Sequence, residues 1–371
     1  MEQRGEFECV TCYEIKSGTL VWKHQHPRRF DETLGQLGPR TTPTLDGPNV
    51  YAQGANGLLV CLNASTGELI WQQDVAKMLG IELAVATDRK GLEYQTEKTD
   101  MLWGRSGSPL VVDDLVVVPG DGPLEGPQVS LVAFNKLDGT EVWRAGEDGA
   151  SYASPCLFEL AGQRQIVSQN AATVTGHDVK TGSVLWSHDR LGHSDTDANT
   201  SLPIQVDNQQ ILCTKGYGLG AELIKVTKSN DGDFSVESVW QNRRVLKTKL
   251  TNAVVKDGFA YALSDGILEC ADLETGKRVW KKGRFYHGQL LIVGEYLLVH
   301  SEHGKLNLIE ATPDEYRLLE SIDTIDGVCW NTFCAYDRYI LLRSDIEMAC
   351  FEISTNAGSD SNPGTEVDNG N

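Results

Sequence analysis

The groups in this 371-residue chain with the chemistry to bind a metal, form a thiolate or move a proton include nine cysteines, eight histidines and 52 acidic side chains. Cys9 and Cys12 have the C-x-x-C spacing of redox and zinc sites. They lie in CVTCYEI, which alternates like a strand, and residues three apart on a strand point to opposite faces. Cys61, Cys156, Cys213, Cys270, Cys329, Cys334 and Cys350 make the total odd and are widely spaced, as expected of small apolar strand residues rather than of a disulfide frame. His193, Asp195 and Asp197 alternate in HSDTDANTS as calcium ligands do, but the Gly and distal Glu of a calcium loop are missing, so a solvated loop is expected. Gly218-Leu-Gly220 leads into a strand and not a helix, which excludes a phosphate loop. No catalytic residue and no metal site is assigned.

A second set of polar residues recurs at one place in a repeat. Arg40 and Thr41, Arg105 and Ser106, Tyr152, Asn199 and Thr200, Lys249 and Thr251, His287, and Trp330 with Asn331 each precede an apolar strand. The set holds three basic groups and two aromatics on a chain of net charge −19. A ring of this kind suits a small polar or anionic ligand, or a peptide. In the alternative reading its Ser, Thr and Asn members cap strand ends.

The repeat has to position these residues. An apolar strand, a small turn with Gly and an apolar strand ending in Trp recur in CYEIKSGTLVW, CLNASTGELIW, AFNKLDGTEVW, GHDVKTGSVLW and CADLETGKRVW, with a stretched copy, LIKVTKSNDGDFSVESVW. These end at Trp22, Trp71, Trp143, Trp186, Trp280 and Trp240, and each indole is expected to pack one sheet against the next. A degenerate copy has Leu319 near the Trp position. Between the phrases lie seven pairs of apolar strands, the first over 40–54 and the last over 331–345. Each pair joins the following phrase into about four strands, and radial repetition of such sheets is a β-propeller.

The fold expected is therefore all-β: a single propeller of four-stranded antiparallel blades over 1–354, with eight blades, the first incomplete, or seven if the two ends share one. Residues 75–105 read as an inserted loop with room for a short helix. The polar, acidic stretch 355–371 reads as a disordered tail.

The charge excludes a general nucleic-acid binder, and no run of 18 uncharged apolar residues offers a membrane span. The amino terminus as written has no export signal, which places the chain in the cytoplasm; with an exported segment upstream it would sit in the periplasm or cell envelope. A monomer is expected.

The D-x-x-T-G-x-x-x-W phrase, with segments such as GPRTTPTLDGPNVYAQGANGLLVCLNASTGELIW and WGRSGSPLVVDDLVVVPG, resembles the pyrroloquinoline-quinone-like repeat. Quinoprotein alcohol dehydrogenases and the outer-membrane barrel-assembly lipoprotein B share that repeat. The likeness extends over roughly residues 2–354 and is nearest to secreted bacterial repeat proteins. It implies a propeller with a ligand site at the channel mouth. The quinoprotein enzymes place adjacent cysteines over their quinone and a carboxylate beside Ca²⁺. This chain has no Cys-Cys pair and no acid in the ring beyond Asp197. The expectation is thus a non-catalytic binding or scaffold module without quinone or Ca²⁺, for a protein or small polar ligand. A quinoprotein-like oxidoreductase and an envelope assembly scaffold are the alternatives.

Overall fold

The computed structural model describes residues 1–190 and 198–353. His193, Asp195, Asp197 and the tail 355–371 lie outside them.

Eight antiparallel blades follow one another along the chain, together with a separate two-stranded hairpin. Six blades have four strands in sequence order. In blade 2 these are Thr44–Asp46, Asn49–Gln53, Leu58–Asn63 and Leu69–Asp74. Blade 1 (Glu2–Arg4, Phe7–Tyr13, Leu20–His26) and blade 8 (Cys334–Tyr336, Tyr339–Arg343, Met348–Glu352) have three strands each. The seven-blade count is thereby set aside. Arg343 of blade 8 acts electrostatically on Glu2 and Tyr13 of blade 1, so the two three-stranded blades are neighbours and the ring returns on itself.

The first strands of adjacent blades meet: Leu110–Val112 touches both Thr44–Asp46 and Cys156–Leu160. These strands therefore line the axis, and the Trp-bearing fourth strands form the rim. The core lies between blades. Tyr51, Cys61 and Trp71 of blade 2 interleave with Val116, Val118 and Phe134 of blade 3.

The turn before each rim strand is built locally. Asn63 Oδ1 accepts from the backbone N–H of Ser65 and Thr66 (2.9 and 3.0 Å), and Asp178 Oδ1 does the same for Lys180 and Thr181. Gly67 and Gly182 then take φ of +73°, which a side chain would resist. In third strands a small residue often stands opposite the Trp: Cys12 faces Trp22, Cys61 Trp71, Ala133 Trp143, Gly176 Trp186 and Cys270 Trp280. That position accounts for three of the nine cysteines. All nine are free, and burial lifts the Cys61 thiol to about 11 and Cys270 to about 12.

The indoles reach the next blade. Trp22 donates to the Ala64 carbonyl (2.9 Å), Trp71 to Lys136 (3.1 Å), Trp240 to Leu273 (2.7 Å) and Trp280 to Thr312 (3.1 Å). Four rings, those of Trp22, Trp71, Trp143 and Trp240, lie on turn glycines: a Cβ added at Gly67, Gly139, Gly182 or Gly276 respectively would stand 2.5–2.6 Å from them. Trp186 differs. Its N–H goes to Gln165 Oε1 of its own blade (2.6 Å) and its ring lies over Gly176. The hairpin it would meet in blade 5 is the stretched copy, which puts the long strand Phe234–Asn242 there instead of a glycine turn. In blade 7 the residue in Trp register is Glu320, paired with Leu308; Leu319 is the bulged residue beside it.

Candidate functional site

Two kinds of segment meet at one end of the ring: the loops that lead from each rim strand to the next inner strand, and the turns between second and third strands. The sequence-derived ring falls in those lead-in loops, and the 75–105 insertion is one of them. It holds a one-turn helix, Val75–Met78, and a hairpin of Leu83–Thr87 with Glu93–Glu97.

The insertion packs over one side of the mouth. Gln95 N–H donates to the Arg29 carbonyl (2.9 Å), and Arg29 pairs with Asp88 (2.6 Å). Met101 and Trp103 then cluster with Tyr152 and Ala198, which lead into blades 4 and 5. The Trp103 and Tyr152 rings are 5.5 Å apart. Arg105 forms a two-pronged pair with Glu97 (2.7 and 2.9 Å) and donates to the Pro119 and Gly120 carbonyls (3.1 and 2.5 Å). Both side chains are 3% exposed. Arg40 stacks on Phe30 (4.7 Å) and donates to the Gly38 and Gln36 carbonyls. Arg105 and Tyr152 are therefore buried in this plug rather than presented on an open ring, and Arg40 is half-buried at its edge. Glu97 and Trp103 were not singled out in the sequence, because nothing local marks which residues of an insertion will fold back.

Asp121 sits under the plug and was also missed. It is 4% exposed, has φ +99°, and its Oδ2 has no partner among the described residues. Burial lifts its carboxyl from 3.8 to about 6, against the pull of Arg105. A raised carboxyl pKa means the folded state holds the proton more tightly. Its contribution is thus most favourable below pH 3.8 and is lost as pH rises through 6. Asp121→Asn should stabilise the fold at pH 7 by roughly 2–3 kcal/mol and flatten the stability profile between pH 4 and 6. Urea unfolding across that range measures both, and an unchanged profile refutes the assignment.

The small polar members of the ring tie the lead-in loops to one another, to a second-to-third-strand turn and to an adjoining strand. Ser106 Oγ donates to the Tyr152 carbonyl (2.7 Å), Asn199 Nδ2 to the Asn170 and Ala171 carbonyls (3.0 Å each), and Thr200 Oγ1 accepts from Leu250 N–H (3.2 Å). Thr251 offers its carbonyl to Ser201 Oγ (2.8 Å), and Thr41 donates to the Gln53 carbonyl (2.5 Å).

The sector over blades 5 to 8 is more open. Lys249 lies 5.0 Å over the Tyr217 ring and 3.8 Å from Asp265. His287 Nδ1 is 3.5 Å from Glu302, which also accepts from Trp330 Nε1 (2.7 Å); Asn331 is half-buried beside them. Gln289 Nε2 ties this group to Leu250 by donating to the Leu250 and Trp330 carbonyls (2.6 and 3.0 Å). Arg284 lies 5.7 Å over the Tyr286 ring, whose centroid is 4.8 Å from that of the His303 ring. Tyr217, Leu250 and Tyr286 are 40%, 38% and 44% exposed, and their φ values are +54°, +55° and +55°. Left-handed backbone costs a bulky side chain about 1–2 kcal/mol, so three such residues exposed on one face are held there by their surroundings. The lead-in loops and the second-to-third-strand turn that carry them gave no distinguishing signal in the sequence.

Among the described residues no group of three or more His, Cys, Asp or Glu could hold a metal ion, and no helix is long and apolar enough to cross a membrane. A family described as outer membrane protein assembly factor BamB matches residues 6–282. The outer membrane protein assembly factor BamB of Yersinia pestis is 22% identical over 280 residues, which are 72% of this chain and 61% of the relative. The chain thus spans less than two thirds of that relative's length. Among solved structures, BamB from Moraxella catarrhalis superposes with a TM-score of 0.60 at 14% identity, covering 95% of this chain and 90% of that one. The quinohemoprotein alcohol dehydrogenase of Comamonas testosteroni gives 0.58 at 13% identity, covering 90% and 67%. These likenesses to solved structures concern the fold alone.

Proposed function

Because the chain belongs to the outer membrane protein assembly factor BamB family, we propose that it is a non-catalytic scaffold, akin to an assembly factor, that holds a protein partner at the mouth end of the ring. The carrying observation is the open sector: Tyr217, Leu250 and Tyr286 exposed in left-handed backbone beside Lys249 and Arg284. Exposed aromatics next to cations are the groups that carry protein–protein affinity, and on a chain of net charge −19 a locally cationic face favours an acidic or polar peptide segment. The plug on the other side of the mouth supports this division of labour, since its Arg105 is sealed against Glu97 at 3% side-chain exposure while Lys249 keeps 31%. This reading assigns no quinone and no Ca²⁺.

Photo-crosslinking tests it. A crosslinker at position 286 or 250 should trap a defined polypeptide from envelope extracts, whereas one at exposed Leu137, on the opposite end of the ring, should not. Lys249→Glu with Arg284→Glu should reduce the yield at 286 by at least tenfold. Equal trapping at 137 and 286, or turnover of an alcohol by the purified chain with added quinone, refutes the reading.

A further inference from the structure

Blade 6 (Val254–Lys256, Phe259–Ser264, Ile267–Asp272, Arg278–Arg284) reverses the charge of the chain. With its flanking loops, residues 241–290, it holds ten Lys or Arg against five Asp or Glu, in a protein of net charge −19. The excess is gathered toward the mouth. At the opposite end, in the turns at 256–258 and 272–277, two cations stand among three carboxylates. The other eight cations have only Asp265 and Glu269 of this blade to oppose them.

Three of those cations converge. In the lead-in loop Leu246 and Thr248 are buried, which leaves Lys247 and Lys249 half-buried on the other side of the backbone. Thr248 bridges to Ser264, fixing the loop against the turn that carries Asp265. Lys247 pairs with one oxygen of Asp265, and Lys249 lies 3.8 Å from the other. Lys281 comes from the rim strand. Its Nζ donates to Ser264 Oγ (3.0 Å) and lies 3.7 Å from Glu269. Glu269 is fully buried and already accepts from the Arg278 guanidinium and the Leu246 N–H (3.1 Å).

The electrostatics show the crowding. Against burial, which acts to raise it, Lys247, Lys249 and Lys281 hold the Asp265 carboxyl below its ordinary range. Burial, reinforced by Arg278 and Lys247, holds the Lys281 ammonium below its own, although Glu269 and Asp265 pull the other way. A lysine pushed down by cationic neighbours is short of negative charge. Lys247, Lys249, Lys281 and Arg278 share two carboxylates, so two positive charges are left over in one half-buried spot.

We propose that Lys247, Lys249 and Lys281 form a binding site for a phosphoryl group at the mouth end of blade 6, with Asp265 as the internal carboxylate that holds them together. Each ammonium offers three donors and binds phosphate as a point charge. A carboxylate ligand brings one charge, which Asp265 already supplies; a phosphoryl group brings about −1.5 to −2 at pH 7, which matches the surplus. The site needs no polypeptide, so it stands or falls apart from the partner reading above, although Lys249 belongs to both.

Equilibrium dialysis of the full chain against radiolabelled inorganic phosphate, at constant ionic strength, tests it. Lys249→Gln and Lys281→Gln should each weaken binding about tenfold, the loss of one charge-assisted hydrogen bond. Asp265→Asn removes the competing carboxylate and should tighten binding. Lys256→Gln makes the same charge change at the opposite end of the blade, where Lys256 pairs with Glu295, and should leave binding unchanged. Acetate at equal concentration should not displace the phosphate. Flotation with phosphatidylcholine vesicles, with and without phosphatidic acid, separates the two sources of the group. Co-flotation that needs phosphatidic acid and is lost in Lys249→Gln assigns it to a lipid headgroup; phosphate binding without co-flotation assigns it to a soluble ligand. The proposal is overturned if phosphate does not bind, whether or not an acidic peptide does. It is also overturned if Lys256→Gln weakens binding as much as Lys249→Gln, if Asp265→Asn weakens it, or if acetate competes equally.

Discussion

Arg105→Met should lower the stability of the ring by about 3–5 kcal/mol, the cost of leaving a buried carboxylate without its partner. Glu97 is enclosed with a side-chain exposure of 3%, and its two oxygens are both engaged by the one guanidinium. The same guanidinium also ties the insertion to blade 3 through the Pro119 and Gly120 carbonyls. Loss should therefore appear twice: as a lower urea midpoint, and as faster proteolysis at the 88–92 hairpin turn of the insertion. Glu97→Leu with Arg105→Met removes both charges and should recover most of the stability, because the pair's own desolvation cost disappears with it. If the single variant unfolds like the parent, the plug is not held by this pair.

Trp71→Ala should cost about 3–5 kcal/mol, through a cavity between blades 2 and 3 and a lost bond to the Lys136 carbonyl. Its coupling to Gly139 is the sharper result. Gly139→Ala places a Cβ 2.6 Å from the indole at a φ of +72°, so it suffers both a clash and backbone strain, together about 2–3 kcal/mol. In the Trp71→Ala background the clash is gone and only about 1 kcal/mol of strain should remain. A double-mutant cycle by urea unfolding should thus show 1–2 kcal/mol of coupling. Additive losses would show that the indole does not seat on the glycine.

Much of this architecture is legible in the chain because it is written in short-range chemistry. The seven strand pairs, the Asx-type turns at Asn63 and Asp178 and the period-2 alternation each need only a few neighbouring residues. The surroundings of the candidate residues were not legible. The ring residues do lie in the lead-in loops, yet Arg105 and Tyr152 are buried under the insertion, whereas Lys249 and His287 remain partly open. Asp121 gave no signal, since its burial depends on Arg105, Glu97 and Thr99 arriving from another segment.

The sequence by itself determined the blades, their order and the turns between strands, because a repeated glycine turn and an alternating strand specify the same local geometry wherever they occur. Only the tertiary structure decided what each copy meets. Trp186 turns inward because the next blade's hairpin is stretched, and Arg105 is sealed because the insertion folds back over it. Contacts between blades depend on two copies at once, and the pattern within one copy carries no record of its neighbour.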